Sequence, residues 1–316
     1  MRALVFNGRL QLRTDYPDPL PMPGESIVKV SLAGICGTDL EITRGYMEYR
    51  GVPGHEFVGR VVQTESAALT NRRVVGEINA ACGTCNSCID GMGRHCATRT
   101  VVGILGRDGS FAEYLRLPNA NLIPLPDAIT DESAVFTEPF AAAFEIFDQA
   151  PLRRTDRIAV LGDGRLGAMV ALALRGEQFA PVIAGHHPVK LKRLAALALQ
   201  TESADDLAPG YDVVIDCTGR SEGLALAIAT VRPRGMIILK STAAAGAAMN
   251  LAPVVINEIT IVGSRCGRFQ TALGALEAGK IDPRPLIDAT FALDDGLAAF
   301  EAARNPLNFK ILLRAS

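Results

Sequence analysis

The sequence lacks three features that would each indicate a particular class of protein. Neither sign of charge prevails, because 32 lysines and arginines stand against 34 acidic residues in 316, so no broad cationic field exists to attract nucleic acids or anionic membranes. No apolar run approaches the ~20 residues that span a bilayer, and the opening MRALVFNGRL alternates like a strand, unlike a signal peptide. Internal repeats and low-complexity linkers are also missing. We therefore expect a soluble, cytoplasmic protein of about two domains whose partners are small molecules, without nucleic acid or membrane.

A cluster of thiols is the most informative feature that is present. Four of the seven cysteines fall within 15 residues with the spacing C-x2-C-x2-C-x7-C, namely Cys82, Cys85, Cys88 and Cys96. This spacing is typical of a structural zinc site, in which one loop closes four thiolates around a tetrahedral ion. Disulfides and idle thiols are the alternatives, although seven cysteines of this kind suit a reducing compartment better than a secreted disulfide scaffold.

The hydrophobic pattern changes near residue 140. Before it, short valine-rich segments such as 27–30 and 57–62, punctuated by glycine and proline, predict antiparallel strands. After it, apolar strand candidates alternate with alanine- and leucine-rich helical stretches, which predicts a doubly wound parallel sheet. These strand candidates are 158–161, 181–184, 213–216, 237–239 and 259–262. A final helix, strand, helix, strand pattern starts at Phe269, and we expect its last strand, 309–313, to return to the first domain.

A glycine motif follows the first strand of the second region. The segment 162–167 reads G-D-G-R-L-G, with Gly162, Gly164 and Gly167 at the fixed positions and Arg165 and Leu166 between the last two. In a strand, turn and helix setting, the first glycine allows the turn, the second admits a pyrophosphate and the third lets helix and sheet approach. The motif therefore predicts dinucleotide binding; the alternative is an ordinary glycine-bearing turn between a strand and a helix.

The end of the second strand bears on which dinucleotide is bound. An NAD site usually places an acidic residue about 20 residues after the motif, to bind the ribose hydroxyls. Here Gly185 takes that place, followed by His186, His187 and Lys190, so the sequence predicts that NADP(H) is favoured over NAD(H). The alternative is that 190–193 is the solvated face of a helix and that the two histidines form a polar loop.

A second set of candidate metal ligands lies outside the cysteine cluster. Cys36 in A-G-I-C-G-T-D, His55 in P-G-H-E-F-V-G and Glu138 in T-E-P supply a thiol, an imidazole and a carboxylate. Such mixed ligands suit a catalytic zinc that keeps one position open. Taken singly, Cys36 could be a small buried hydrophobe, His55 a hydrogen-bonded loop residue and Glu138 an acid at a helix N-terminus.

These motifs together carry a family resemblance. C-G-T-D, G-H-E, the cysteine cluster, G-S-F-A-E-Y at 109–114 and the glycine motif resemble the zinc-containing medium-chain dehydrogenase/reductases, the alcohol dehydrogenase superfamily, along nearly the whole chain. The resemblance implies an α/β protein with a GroES-like, mostly β catalytic domain at 1–139 and 268–316, its zinc lobe near 80–100. A Rossmann domain with a doubly wound parallel sheet would occupy 140–267.

The resemblance also implies roles for individual residues. Cys36, His55 and Glu138 take the positions of the catalytic metal, and Glu56 offers a second carboxylate beside His55, so either glutamate could bind the metal, directly or through water. Glutamate at the third position resembles the sorbitol, glucose and threonine dehydrogenase branch. With the four cysteines, this implies two zinc ions per chain.

Other positions of the resemblance concern proton transfer and the cofactor. Thr38 is placed to pass the substrate proton on, and Glu41 is a proton-relay base or an acceptor for a substrate hydroxyl, with a solvated loop acid as the alternative. Thr218 and Gly219 would pass close to the nicotinamide half of the cofactor, and Arg265 could contact the cofactor or substrate. Asp39 would orient a ligand rather than react.

The expected function is zinc-dependent hydride transfer between NADP, or NAD, and a polyol, sugar or related secondary alcohol or ketone. The alternatives are a biosynthetic reductase of the same fold acting on an unusual ketone or aldehyde, and oxidation of an amino alcohol like that of threonine dehydrogenase. A non-catalytic binding protein that keeps the fold is a further alternative. The resemblance also implies a homodimer or homotetramer.

Overall fold

The computed structural model describes residues 1–242 and 249–315, and the chain divides into two compact units. Unit 1 contains Met1–Glu138 together with the chain from Leu276 onward, and unit 2 contains Pro139–Ala275. Within the described residues, no helix is long and apolar enough to cross a membrane.

The strands of the described residues are short, as the many glycine and proline breaks predict. In chain order they are β1 (Ala3–Phe6), β2 (Leu10–Arg13), β3 (Glu25–Ile35), β4 (Glu56–Gln63), β5 (Arg73–Gly76), β6 (Asn79–Ala80), β7 (Thr100–Val102), β8 (Gly106–Arg107), β9 (Tyr114–Pro118), β10 (Leu122–Pro124), β11 (Ile158–Leu161), β12 (Val182–Gly185), β13 (Gln200–Ser203), β14 (Tyr211–Asp216), β15 (Val231–Leu239), β16 (Thr260–Gly263), β17 (Ile287–Ala292) and β18 (Lys310–Arg314).

The longer helices of the described residues lie after residue 136. In chain order the helices are α1 (Gly37–Ile42), α2 (Asn86–Ile89), α3 (Asp131–Ala134), α4 (Thr137–Gln149), α5 (Arg165–Gly176), α6 (Pro188–Ala196), α7 (Ser221–Thr230), α8 (Ala252–Ile256), α9 (Phe269–Glu277) and α10 (Gly296–Arg304).

Unit 1 is built on one mixed sheet in which β3 is the central strand. The order is β10-β5-β4-β3-β18-β17, and β9 pairs with the first half of β3 while β18 pairs with its second half. The C-terminal segment of the chain thus adds β17 and β18 to a sheet that the N-terminal segment begins, as the sequence predicts. The rings of Phe111 and Phe300 come from these two segments and pack edge to face, 5.6 Å apart, in the buried core.

Unit 2 contains a six-stranded parallel sheet in the order β13-β12-β11-β14-β15-β16. This is the strand order of a Rossmann fold, and the direction of winding reverses between β11 and β14, where such folds bind their ligand. The expected fold class, a β-rich GroES-like part and a doubly wound parallel sheet, is confirmed.

Two details of unit 2 differ from the sequence prediction. β13 falls in the stretch Q-T-E-S, which carries no apolar run, because an edge strand needs only one covered face. β15 starts at Val231 rather than 237, since its first part, with Arg232, Pro233 and Arg234 exposed, lacks the burial that makes the rest of the strand apolar.

Candidate active site

The pairing of β3 with β4 brings two candidate metal ligands together. Cys36 follows the last residue of β3, and His55 precedes the first residue of β4. Because these strands are antiparallel and pair Gly34 with Glu56, the end of one lies beside the start of the other. The ligand atoms of Cys36, His55 and Glu56 consequently lie within 4.8 Å of one another, although 18 residues separate the thiol from the imidazole.

Asp39 connects the two segments that carry these ligands. Its side chain is fully buried and accepts the backbone N–H of Cys36 at 2.8 Å and that of Gly54 at 3.1 Å. The same carboxylate lies 3.3 Å from Nδ1 of His55, without the alignment of a hydrogen bond. A carboxylate behind an imidazole ligand orients the ring and raises its basicity. The geometry therefore supports the predicted positioning role of Asp39.

Glu56 forms a buried ion pair that the sequence analysis missed. Its Oε2 accepts from Nζ of Lys310 at 2.5 Å, and both side chains are 1% exposed. Lys310 begins β18, which pairs with β3 next to Cys36, and its ammonium also lies 5.5 Å from the Phe136 ring centroid. The other oxygen of Glu56, Oε1, is buried without a hydrogen-bond partner. A lysine inside the apolar run F-K-I-L-L is the signal in the sequence that could have revealed this pair.

Glu138 lies in the first turn of α4 and is not a member of the group of ligand atoms within 4.8 Å. Burial raises the pKa of Glu138 to about 7, and the charge of Glu56 adds to this while those of His55 and Lys310 oppose it. Burial lowers the pKa of His55, but the nearby Asp39 outweighs it, so the pKa of His55 lies well above its usual value. A cation bound here would displace these protons, because metal ligands must be deprotonated.

Thr38 and Glu41, both on α1, differ in their surroundings. The Thr38 hydroxyl lies 3.9 Å from Sγ of Cys36, beside the ligand set. Glu41 is on the exposed face of α1 and forms an ion pair with Arg44 at 2.6 Å, with 48% of its side chain exposed. This position favours the alternative reading of Glu41 as a solvated acid, and its catalytic role stays a prediction.

The four-cysteine cluster has the dimensions of a zinc site. The Sγ···Sγ distances are 3.8 Å for Cys82–Cys88, 3.5 Å for Cys85–Cys88, 3.8 Å for Cys85–Cys96 and 3.6 Å for Cys96–Cys82. Four thiolates at the usual ~2.3 Å from a tetrahedral zinc are about 3.8 Å apart, whereas a disulfide requires ~2.05 Å. Backbone N–H groups of Thr84 and Cys85 lower the pKa of Cys82 to about 5, whereas burial and the neighbouring Cys85 thiol raise the pKa of Cys88 to about 12. A bound zinc ion would displace the protons that remain, because metal ligands must be deprotonated. The geometry therefore fits zinc and excludes disulfides within the cluster.

The glycine motif of unit 2 forms a cradle at the carboxyl end of β11. Gly162 has φ of +105°, and Gly167 approaches it so closely that a Cβ on Gly167 would clash with the Gly162 carbonyl oxygen. A Cβ on Gly164, by contrast, would have no atom within 4 Å. Gly164 caps α5 without any side-chain hydrogen bond, and the start of a helix is where backbone N–H groups bind phosphates. The cradle fits a dinucleotide pyrophosphate.

The remaining predicted cofactor residues of unit 2 lie near the same edge of its sheet. Arg165 and Leu166 form the first turn of α5, and Thr218 and Gly219 directly follow β14, which pairs with β11. Arg265 follows β16 and is exposed, while its carbonyl oxygen accepts from the buried Lys240 ammonium at 3.0 Å. Strands β11 and β14 flank the point where the winding reverses, so Thr218 and Gly219 stand where a dinucleotide would cross.

The end of β12 lies next to a carboxylate that the sequence did not predict there. Gly185 lies against the carboxylate of Asp163, the second residue of the glycine motif, and a Cβ on Gly185 would overlap that carboxylate. Asp163 is 5% exposed; it accepts the backbone N–H of His187 at 2.8 Å and lies 3.0 Å from the Nδ1 of that histidine. His186 is exposed, 3.7 Å from Asp205. A carboxylate is therefore present at this strand end, contributed by another segment.

Lys190 lies on the inner side of α6 and is 3% exposed. It therefore does not belong to a solvated helix face, and its contact with a 2′-phosphate stays a prediction. Alternation of charge along a helix does not reveal which lysine turns inward.

Comparison with known proteins gives a consistent result for both units. Residues 22–127 match the alcohol dehydrogenase GroES-like domain, and residues 195–278 match the zinc-binding dehydrogenase family. The L-threonine 3-dehydrogenase of Streptomyces avermitilis is 32% identical over 95% of this chain and 94% of its own length. The chain belongs to the zinc-containing medium-chain dehydrogenase/reductase family.

Two further relatives place the dehydrogenase within the same branch. The sorbitol dehydrogenase of Halalkalibacterium halodurans is 27% identical over 95% of this chain and 94% of its own length. Among solved structures, the short chain alcohol dehydrogenase RspB from Escherichia coli CFT073, complexed with NADH, has a TM-score of 0.90 at 26% identity, with 99% of both chains covered. The protein is thus an NAD(P)-dependent alcohol dehydrogenase of the branch that includes sorbitol and threonine dehydrogenases.

The dehydrogenase carries a donor set suited to a reactive zinc. A half-buried thiol and a buried imidazole and carboxylate within 4.8 Å, together with a Glu56 oxygen that has no hydrogen-bond partner, fit a metal ion with mixed ligands. Such a set leaves a position for a substrate oxygen, unlike the closed four-thiolate cluster.

Proposed function

We propose that this dehydrogenase oxidises a polyol, a sugar or a related secondary alcohol, or reduces the corresponding ketone. The observation that carries the proposal is the meeting of Cys36, His55 and a carboxylate in unit 1 of a chain whose unit 2 has a dinucleotide cradle. When bound, zinc supplies a Lewis acid for the substrate oxygen and the nicotinamide supplies the hydride acceptor.

The residues of the chain have separate tasks in this proposal. Asp39 holds the backbone of both ligand segments and faces the His55 ring, which keeps the imidazole in one orientation. The Thr38 hydroxyl, 3.9 Å from the Cys36 sulfur, receives the substrate proton and passes it on. Lys310 balances the charge of Glu56, which offsets the cost of burying the carboxylate next to the other ligands.

Glu56 and Glu138 compete for the place of third ligand. Glu56 is supported by its position within 4.8 Å of the other two ligand atoms, although one of its oxygens is bound to Lys310. Glu138 is supported by the resemblance and by its interaction with the charges of His55 and Glu56. Zinc content separates them: the glutamine variant of the true ligand loses about one zinc per chain, and the other variant keeps it.

Oxidation of an amino alcohol is the second candidate function. It is favoured by the relative at 32% identity, which is an L-threonine 3-dehydrogenase, whereas the sorbitol dehydrogenase at 27% favours the polyol reading. A panel of polyols, aldoses, amino alcohols and simple secondary alcohols, each with NAD+ and with NADP+, distinguishes the two by the absorbance of the reduced cofactor. Turnover limited to amino alcohols would refute the polyol proposal, and no reduced cofactor with any class would refute both.

The cofactor preference depends on a single feature of unit 2. The sequence predicts NADP(H), because Gly185 replaces the usual acidic residue and His186 and His187 follow it. That prediction assumes that no carboxylate lies at the end of β12, whereas the carboxylate of Asp163 does lie there.

We also propose that two copies of the chain associate through the edge of unit 2. β16 is an edge strand of the parallel sheet, and the nearby helix α8 exposes Leu251, Val255 and Ile256 at 54%, 76% and 77%. Exposed apolar side chains beside an edge strand favour association with a second copy. Light scattering of the eluting protein should give a multiple of 33.5 kDa, and a lasting monomer would exclude this interface.

A further inference from the structure

We propose that Asp163 supplies the carboxylate that receives the adenosine ribose, and that the enzyme consequently prefers NAD(H) to NADP(H). The inference rests on the proposed dinucleotide site and reverses the preference that the sequence alone predicts. It assigns a specificity-determining role to the second residue of the glycine motif, a position whose side chain the motif itself leaves open.

The carboxylate of Asp163 lies at the end of the second strand of the sheet, β12. In this fold the acid at the end of the second strand points its side chain toward the ribose hydroxyls, and here that strand ends at Gly185. A Cβ built on Gly185 would lie under 3.0 Å from the Cβ, Cγ and Oδ2 of Asp163. Asp163 therefore fills the space that an acidic side chain at position 185 would fill, 22 residues away in the sequence.

His187 holds the Asp163 carboxylate in place. The backbone N–H of His187 donates to Oδ2 at 2.8 Å, and the Nδ1 of His187 lies 3.0 and 3.1 Å from the two oxygens. With 7% of its side chain exposed, Asp163 cannot swing out into solvent without breaking these bonds. A fixed, charged acceptor is what recognition of a ribose diol requires.

The negative charge of Asp163 disfavours a phosphate on the 2′-oxygen of the ribose. A carboxylate within hydrogen-bond reach of the 2′-oxygen repels a phosphate there, and the cations that the sequence offered for compensation are engaged or misplaced. His187 bonds Asp163 itself, Lys190 is 3% exposed, and the exposed His186 lies by Asp205. From Coulomb repulsion at surface-like dielectric, we expect the 2′-phosphate to weaken binding by at least about 30-fold.

The experiment measures binding of cofactor fragments to the full-length protein, so that it needs no substrate. Isothermal titration calorimetry compares adenosine 5′-phosphate with adenosine 2′,5′-bisphosphate, and NADH with NADPH. Calorimetry is the suitable method, because the chain has no tryptophan whose fluorescence a nicotinamide could quench. Failure of dehydrogenation with every alcohol would leave these Kd ratios unaffected, so the two proposals fail independently.

Three variants locate the preference at Asp163. Asp163→Asn keeps the shape and an acceptor for the His187 N–H but removes the charge, and it should bring the two Kd values within about 3-fold of each other. Glu258→Gln removes one charge at the opposite end of the same sheet, where it pairs with Arg234 on the surface, and should leave the ratio unchanged. The double variant Asp163→Gly/Gly185→Asp transfers the carboxylate to the strand end without leaving a Cβ at position 163 to overlap the new side chain, and it should recover the preference for NADH.

The Kd values of the unaltered protein and of the variants each test whether Asp163 determines the preference for NADH. Tighter binding of NADPH than of NADH by the unaltered protein would overturn the proposal, even if Asp163→Asn fails to fold. An unchanged ratio in a folded Asp163→Asn, or a double variant that stays indifferent to the 2′-phosphate, would overturn it as well.

Discussion

The buried pair of Glu56 and Lys310 makes the most demanding prediction about unit 1. Both side chains are 1% exposed and meet at 2.5 Å, and Oε1 of Glu56 has no hydrogen-bond partner. Lys310→Met keeps the length of the aliphatic chain while leaving the carboxylate buried without its cation. Breaking a buried ion pair from one side costs about 3–5 kcal/mol, so we expect the free energy of unfolding to fall by about that amount.

The assay is urea denaturation of the zinc-loaded protein followed by far-ultraviolet circular dichroism, since the chain has no tryptophan to report unfolding. The double variant Glu56→Gln/Lys310→Met removes both charges and should be more stable than Lys310→Met alone by at least about 1 kcal/mol. The exposed pair Glu41 and Arg44 provides the matched control, and Arg44→Met should change stability by at most about 0.5 kcal/mol.

A loss of under about 1 kcal/mol in Lys310→Met, together with additive behaviour of the double variant, would refute this reasoning. It would mean that the burial of the Glu56 side chain is compensated in some other way than by Lys310. Zinc content, measured on the same samples, separates lost stability from a lost metal.

The remaining predictions concern the thiol cluster, the glycine cradle and acid stability. Cys85→Ser should lower the zinc content by about one ion per chain and reduce the soluble yield, because structural zinc contributes folding energy; a soluble variant with unchanged metal content would contradict this. Gly167→Ala should weaken NADH binding by at least about 10-fold and destabilise the protein by about 1–3 kcal/mol, since the new methyl group overlaps the Gly162 carbonyl oxygen; calorimetry and denaturation measure both effects, and wild-type values would exclude the clash. The N–H of Arg157 and the guanidinium of Arg232 hold the pKa of Asp212 below its usual value, so as the pH falls the unfolded chain takes up this proton first. The stabilisation is complete above about pH 5 and is lost progressively as the pH falls below that, until it passes the lowered pKa of the folded protein. Asp212→Asn should therefore flatten the acid side of the pH dependence of the urea midpoint, and an unchanged slope there would show that the carboxylate contributes nothing.

The sequence predicts what depends on local pattern. Strands β11, β12 and β14 carry apolar runs because both faces of a parallel sheet are covered, and their positions agree with the prediction within two residues. The four cysteines lie on one short loop, so their spacing alone indicates a closed cluster. The polar edge strand β13 was not predicted, because it needs no apolar run.

What the sequence cannot supply is contact between distant segments. Lys310 meets Glu56 across 254 residues only because β18 returns beside β3, and no local pattern encodes that register. In the same way, Asp163 reaches the end of β12 only through the parallel pairing of β11 with β12. The first case adds a charge to the ligand set, and the second is the basis on which we propose NAD(H) in place of the NADP(H) that the sequence predicts.

Anomalous scattering at the zinc edge tests most directly whether the thiol, imidazole and carboxylate of unit 1 form the reactive metal site. Crystals of the zinc-loaded protein should give two peaks per chain, one among the four cysteines and one between Cys36 and His55. In Cys36→Ala only the first peak should remain, with turnover lost and NADH binding unchanged. A single peak in the unaltered protein, or full turnover by a Cys36→Ala protein that lacks the second peak, would contradict the account.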